Sequence, residues 1–115
     1  MMQYVTTNGA QGICPAGSHI PTDTEWTTLT NFLGPATAGT QIQPSGSSGL
    51  NMPLAGIRYT DGAFNYLSVA AYLWSSSESG VNAWIRPLGW GSAAVSRGST
   101  EKGNGLSVRC MRNWL

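Results

Sequence analysis

The sequence predicts an α+β fold in which a helix near the N-terminus packs on short antiparallel strands connected by long loops. The clearest helical spacing of apolar residues lies before Gly34, and strand-like segments recur between turn residues later in the chain, at intervals of about ten residues. The 15 glycines among 115 residues favour a turn-rich protein over long helices. Because this length suits one domain, we predict a single domain over residues 1–115.

The predicted helix runs from Thr24 to Leu33. Thr22 or Asp23 can accept hydrogen bonds from the free amides of its first turn, and Glu25 lies favourably near its positive end. Gly34 follows the last apolar residue and is predicted to end the helix. Four apolar residues at helical spacing are predicted to share one face: Trp26, Leu29, Phe32 and Leu33.

A long surface loop is predicted over residues 34–49. This segment consists mostly of Ser, Thr, Gly, Pro and Gln, and Ile42 is its strong apolar residue. Such composition between two structured segments is typical of an exposed connection.

Six short strands are predicted after this loop. Asp61 and Gly62 suit a type I′ turn, so the first two strands should form a hairpin. The predicted strands are Leu54 to Tyr59, Ala63 to Leu67, Tyr72 to Ser75, Ala83 to Leu88, Ala93 to Arg97 and Leu106 to Met111.

Alternation along the late strands predicts which side chains are buried. Successive strand residues point to opposite faces of a sheet. In the strand from Ala83 to Leu88, we expect Trp84 and Leu88 to face the core and Ile85 and Pro87 to be exposed. The same alternation predicts that three residues of the last strand are buried: Leu106, Val108 and Cys110.

Composition narrows the possible partners. Charged residues make up 10% of the chain and the formal net charge is +1, so no broad field attracts nucleic acid or anionic lipid. We therefore predict no nucleic-acid partner. Since no run of about 18 apolar residues occurs and residues 1–12 lack the pattern of a signal peptide, we also predict no direct membrane insertion.

No catalytic or metal-binding pattern is present in the sequence. The single histidine, His19, favours a structural role, and no GxSxG motif accompanies the many serines. The five acidic residues are scattered without a visible pair or ligand cluster. We predict a protein that is not an enzyme and that uses no cofactor and no metal. A calcium site formed by Glu78, Asn82 and nearby carbonyls is the alternative, although calcium normally takes six to eight oxygen ligands.

The two cysteines lie near opposite ends of the chain, at Cys14 and Cys110. A disulfide between them would close a loop of nearly the whole domain, while two buried free thiols are the alternative. A disulfide would suit an extracellular, cell-surface or virion-surface location. Their wide separation argues against a CxxC redox or zinc motif.

Five sequence blocks carry a family resemblance. They are GICPAGSHIPTDTEWTTL from Gly12 to Leu29, AGIRYTDGAFNYL, YLWSSSES from Tyr72 to Ser79, AWIRPL, and GLSVRCMR from Gly105 to Arg112. In this order they resemble the Fibrobacter succinogenes major paralogous domain, which is similar to formylglycine-generating enzymes. The resemblance implies a C-type-lectin-like fold. It does not imply catalysis, because those enzymes bind copper with a pair of reactive cysteines, whereas Cys14 and Cys110 occupy positions of the structural pattern.

The C-terminal third, about residues 74–110, also resembles the variable proteins of diversity-generating retroelements. In such proteins, adenine-directed mutagenesis turns chosen codons into NNC, and the resemblance implies a ligand-binding surface of variable residues. An NNC codon cannot encode Trp, so Trp90 does not fit the variable set, but it is the strongest candidate for a binding hot spot. The predicted variable, ligand-binding residues can all be encoded by NNC codons: Ile85, Pro87, Gly89, Gly91, Ser92, Ser96, Gly98, Ser99, Thr100, Gly103 and Asn104.

These observations give one main functional hypothesis and two alternatives. The main hypothesis is a non-catalytic ligand-binding display domain, a variable protein of a retroelement, that binds a protein or cell-surface target through its C-terminal third. The first alternative is an adhesive or structural module of a bacterial surface lipoprotein without diversification. The second is a glycan-binding lectin, although the fold alone is no argument for sugar binding.

Overall fold

The computed structural model describes residues 1–2 and 5–113. This part of the chain contains helices together with short antiparallel strand pairs, which confirms the α+β class. The elements in chain order are β1 (Ser18–His19), α1 (Asp23–Leu33), α2 (Ala38–Ile42), β2 (Ile57–Arg58), β3 (Phe64–Asn65), β4 (Ala70–Ser79), β5 (Asn82–Gly89), β6 (Gly98–Glu101) and β7 (Met111–Arg112).

The largest sheet has the strand order β4-β5-β6, and all its pairs are antiparallel. Its third strand begins at Gly98, so the predicted strand from Ala93 to Arg97 is wrong. The physical reason is a competing attachment, because the carbonyl of Ala93 accepts a hydrogen bond from Gly39 of α2 at 2.8 Å. The chain contacts β5 again at Ser96, whose N–H donates to the carbonyl of Pro87 at 2.9 Å, and regular pairing with β5 begins at Gly98, which lies opposite Ile85.

The outer edge of β4, on the side away from β5, is covered by three separate segments. Gly56 forms a parallel bridge with Ala71, and Ser107 forms another with Leu73. Farther along, the N–H of Ser76 donates to the carbonyl of Pro21 at 2.8 Å. Ser107 is one residue of the predicted strand from Leu106 to Met111, which is wrong in extent because it is reduced to this bridge and to part of β7.

Helix α1 begins at a capping box and packs on the sheet through one face. The Thr22 hydroxyl accepts from the N–H of Glu25, and the Glu25 carboxylate accepts from the N–H of Thr22. Trp26 is 2% exposed and donates its indole N–H to the carbonyl of Trp74. Phe32 is 85% exposed, so its predicted place on this face is wrong. Six residues at about 100° each place Phe32 roughly 120° around the helix from Trp26.

Helix α2 occupies part of the predicted loop over residues 34–49 and corrects that prediction. Ala38 and Ile42 are fully buried and pack with Trp26 and Leu88 in the first core cluster. Gly39 allows the helix to lie close to the main chain of residues 92–94, because a Cβ at this position would lie 2.6 Å from the carbonyl oxygen of Ser92. A short helix with one large apolar residue has too little periodicity to be detected in the sequence.

Strand β5 is covered on both faces, which overturns two predictions of exposure. Ile85 is 5% exposed and packs with Trp74 and Ala83 in a second core cluster, against Leu106 and Val108. Pro87 is half-buried. On the other face, Leu88 is buried as predicted, but Trp84 is only half-buried. Alternation predicts the two faces correctly, but it cannot predict that a distant segment covers the second one.

The ends of the domain are joined by β1, β7 and a disulfide. Ser18 lies opposite Arg112 in the β1–β7 pair. Cys14 and Cys110 are bonded, with their Cα atoms 5.8 Å apart. Cys14 is buried, but Cys110 is exposed, so the prediction that Cys110 lies inside is wrong. Cys110 is exposed because the last segment passes over the surface of the domain.

The predicted hairpin is confirmed as β2 and β3, but its turn is not of type I′. That type requires positive φ at both central residues, whereas in the turn only Gly62 has one, at 90°. The carbonyl of Tyr59 accepts from the N–H of Gly62, and the Asp61 carboxylate accepts from the N–H of Ala63. Asp61 thus stabilises a longer turn through its side chain.

Candidate binding surface

The loop after β5, residues 90–96, is the most exposed part of the predicted site. Trp90, Gly91, Ser92 and Ser96 are all exposed, as are the two alanines between them. Val95 is the exception, because it is half-buried and packs against the first core cluster. One apolar side chain therefore ties the loop to the core while the others face solvent.

Helix α2 and the residue that ends it, Gln43, hold the first half of this loop. The Gln43 side chain donates from Nε2 to the carbonyls of Gly89 at 3.1 Å and Ser92 at 2.9 Å. Its Oε1 accepts from the N–H of Gly91 at 3.0 Å. With the bond from Gly39 to Ala93, these contacts give the loop a defined main-chain path.

An ionic cluster around Asp23 holds the second half. Arg97 donates from Nε and Nη2 to the Asp23 carboxylate, and its guanidinium lies 3.5 Å from the ring centroid of Trp84. Arg86, whose side chain is 3% exposed, donates from Nη1 to the same carboxylate and from Nη2 to the main-chain carbonyl of Asp23. Hydrogen bonds from Arg97 and Arg86 lower the pKa of Asp23 against the opposing effect of burial.

Exposed apolar side chains adjoin the loop. Trp90 is 74% exposed and Val69 is 55% exposed. The main-chain N–H of Trp90 donates to the carbonyl of Val69. Leu67, 73% exposed, lies between Tyr66 and Ser68, which have positive φ values of 66° and 62°. Such values are strained for residues other than glycine. A shallow cleft of about 510 Å³ is lined only by uncharged residues: Gln43, Pro44, Pro53, Leu54, Ala55, Leu67, Ser68 and Trp90.

The other predicted site residues lie elsewhere along the sheet. Ser99 is exposed, Gly98 and Thr100 are half-buried, and all three belong to β6. Thr100 lies opposite Ala83, six residues from the end of β5 at Gly89, or about 20 Å along the strand. The structure therefore divides the predicted surface into two groups. Gly89, which is half-buried, belongs with the loop.

Gly103 and Asn104 line a cavity of about 910 Å³ that the sequence did not indicate. Lys102 and Glu78 form an exposed ion pair at 2.8 Å in its lining. Asn104 is half-buried and donates to the hydroxyl of Thr100 at 2.8 Å. These two predicted residues therefore belong to a different concavity from that of Trp90.

Three of the four serines of the WSSSES block, Ser75, Ser76 and Ser77, are buried and hydrogen-bonded. The hydroxyl of Ser76 accepts from the N–H of Gly9, and that of Ser77 accepts from the N–H of Asp23. The hydroxyl of Ser75 donates to the carbonyl of Trp84 at 2.8 Å. Each serine therefore fastens a neighbouring segment to β4.

Both ring nitrogens of His19 contact side chains. Nε2 lies 2.8 Å from the Glu25 carboxylate, and Nδ1 lies 2.7 Å from Oδ1 of Asn113. Burial lowers the pKa of His19, but these hydrogen bonds and the Glu25 charge outweigh it, so its pKa is raised above 6.5. The pKa of Glu25 is lowered: burial acts to raise it, but its hydrogen bonds with Thr22 and His19 outweigh that effect.

These two pKa shifts predict a pH-dependent stability. The contribution of His19 is present below its unfolded pKa of about 6.5 and is lost as pH rises through its higher folded pKa. That of Glu25 is present above about 4.3 and is lost in acid. We therefore expect the free energy of unfolding to fall between about pH 5.5 and pH 8.5 in the native chain, and to fall less in His19→Gln. Urea denaturation at both pH values measures this, and identical falls would contradict it.

Sequence reasoning missed several residues of this surface. Gln43 lies in the predicted loop over residues 34–49, and Ala93 and Ala94 lie in the predicted strand from Ala93 to Arg97. Leu67 is the last residue of a predicted strand, and Val69 follows that strand. The turn residues around Leu67 indicate its exposure, because an apolar side chain beside a turn has little access to the core.

Comparisons with known proteins give a family match. A family model described as the Fibrobacter succinogenes major domain matches residues 2–112. No curated protein and no solved structure matches the chain significantly. Among the described residues, no helix has the length and apolar character needed to cross a membrane.

Proposed function

The chain belongs to the Fibrobacter succinogenes major domain family, and we propose that it is a non-catalytic binding domain that contacts a protein or cell-surface ligand. The observation that carries this proposal is the 90–96 loop, which exposes every side chain except that of Val95 on a main chain held from two sides. The exposed residues Trp90, Leu67 and Val69 add an apolar surface of the kind that marks interaction sites.

We also propose that the domain is not an enzyme. A serine nucleophile needs a free hydroxyl beside a base, but Ser75, Ser76 and Ser77 are engaged with main-chain groups. The ring nitrogens of His19 contact Glu25 and Asn113. Stabilisation of the fold accounts for all four side chains.

We further propose a C-type-lectin-like fold and retroelement diversification. Contacts of α1 with β4 and β5, together with the long connections, support the fold. The exposed positions Ser92, Ser96, Ser99 and Gly103 support the diversification, whereas Ile85 is withdrawn from the variable set because it is buried. A near-identical template repeat beside the gene would establish diversification, and its absence would favour an adhesive module. The disulfide favours an extracellular, cell-surface or virion-surface location.

Replacing Trp90 with Ala is expected to weaken ligand binding by about 30-fold, or about 2 kcal/mol, because large exposed aromatics dominate binding energies. The ligand would first be isolated from a surface-protein extract on the immobilised domain and identified by mass spectrometry. Surface plasmon resonance with the purified ligand then gives Kd, and circular dichroism checks the fold.

Phe32→Ala is the matched control, because it removes an aromatic side chain of similar exposure from α1. It should leave Kd unchanged. Equal effects of the two variants would place the ligand elsewhere. Retention of glycans rather than proteins would overturn the protein-ligand proposal in favour of a lectin.

A further inference from the structure

Every hydrogen bond from α2 and its C-cap residue Gln43 to the 90–96 loop and its entry residue Gly89 ends on a main-chain atom of that segment. Gln43 contacts the carbonyls of Gly89 and Ser92 and the N–H of Gly91. The N–H of Gly39 donates to the carbonyl of Ala93. These bonds do not depend on which side chains the loop carries.

Gln43 suits this arrangement because its amide is both donor and acceptor. Nε2 provides two N–H donors and Oε1 provides an acceptor. A glutamate would keep the acceptor but lose both donors. The residue is also well supported, since its own N–H donates to the carbonyl of Gly39 and the preceding residue, Ile42, is 1% exposed. The amide therefore extends from an element fixed in the core.

We propose that Gln43 is a positioning residue that sets the shape of the 90–96 loop through its main chain, so that the loop keeps one shape while its exposed side chains change. The positions freed in this way are Trp90, Ser92 and Ala94. Gly91 is restricted, because its φ of 76° favours glycine, asparagine or aspartate. The proposal rests on the proposed function only for what the loop is used for, and its test needs no ligand.

The test is amide hydrogen exchange of the full chain, followed by NMR. In Gln43→Ala we expect the Gly91 amide to exchange about tenfold faster, as loss of its hydrogen bond predicts. The amides of Leu73 and Leu88 should be unchanged, which separates positioning from general destabilisation. If Gln43→Ala does not fold, Gln43→Glu provides the same comparison. The Ser92 amide is then the reporter, because its N–H donates to the carbonyl of Gly89, and this turn loses the two bonds from Gln43 Nε2 to Gly89 and Ser92, so the Ser92 amide should exchange faster.

Gln41→Ala is the matched control, because Gln41 lies in α2 two residues before Gln43 but donates to Leu33 and Thr37. It should leave Gly91 protected. A loop variant that combines Trp90→Ser, Ser92→Asn and Ala94→Ser should also keep Gly91 protected in the Gln43 background.

Two results would overturn the proposal: protection of Gly91 that survives Gln43→Ala, or protection that the loop variant removes while Gln43 is present. Either result leaves the ligand-binding experiment with Trp90→Ala unaffected. The converse result is that Gln43→Ala removes the protection of the Gly91 amide while the binding experiment finds no ligand. That result would leave Gln43 as a positioning residue and refute only the binding function.

Discussion

Breaking the disulfide by Cys14→Ala with Cys110→Ser is expected to lower the free energy of unfolding by about 4 kcal/mol. The two cysteines are separated by 96 residues, and in the chain-entropy model a closed loop of that size restricts the unfolded chain by roughly 4 to 5 kcal/mol. Domains of this size are stable by about 5 to 15 kcal/mol, so the variant would lie near the limit of folding. Urea denaturation measures the difference.

The single variants separate the covalent link from local packing. Cys110→Ser breaks the bond at an exposed position, and Cys14→Ala breaks it at a buried one. If the link itself stabilises the domain, Cys110→Ser alone should produce most of the loss, as should reduction of the native protein. A loss confined to Cys14→Ala would mean that the Cys14 side chain acts mainly by packing.

Replacing Asp23 with Ala is expected to lower the free energy of unfolding by about 3 kcal/mol. Arg86 would keep a guanidinium that is 3% exposed without its carboxylate partner, and breaking such a buried pair costs about 3 to 5 kcal/mol. Because Arg97 would lose the same carboxylate, the end of the 90–96 loop would be held less firmly, mainly by the bond from the N–H of Ser96 to the carbonyl of Pro87. Chemical denaturation gives the magnitude, and amide exchange of Ser96 reports on the loop.

Lys102→Ala provides the comparison for Asp23→Ala. Its ion pair with Glu78 is exposed, at 44% and 42% of the two side chains, and such pairs contribute at most about 1 kcal/mol. The lowered pKa of Asp23 adds a second check. The stability it contributes is present above its unfolded pKa and is lost as pH falls through the lower folded value. Equal effects of the two variants would contradict a stabilising cluster at Asp23.

The elements predicted correctly are those determined by neighbouring residues. The capping box of α1 uses Thr22 and Glu25, three positions apart, and the β2–β3 hairpin forms around Asp61 and Gly62. Helix α2 was missed because its burial depends on packing between distant segments. The burial of Ile85 was missed for the same reason, since residues about twenty positions later in the chain cover its face.

The candidate surface was predicted in part for the same physical reason. Trp90, Gly91 and Ser92 form a turn whose exposure follows from local sequence. Their attachment to Gln43 spans nearly fifty residues, and no local pattern indicates it. The sequence also predicts that the β6 residues share a surface with Trp90, because a sequence pattern does not show how far apart two groups lie along β5.

The covering of the outer edge of β4 has a consequence for solubility. An open edge strand offers unpaired N–H and C=O groups to other chains and promotes aggregation. Here the segments containing Gly56, Ser107 and Pro21 occupy that edge in succession. The longest strand described, with a buried and largely apolar first half, is thereby closed to pairing between molecules.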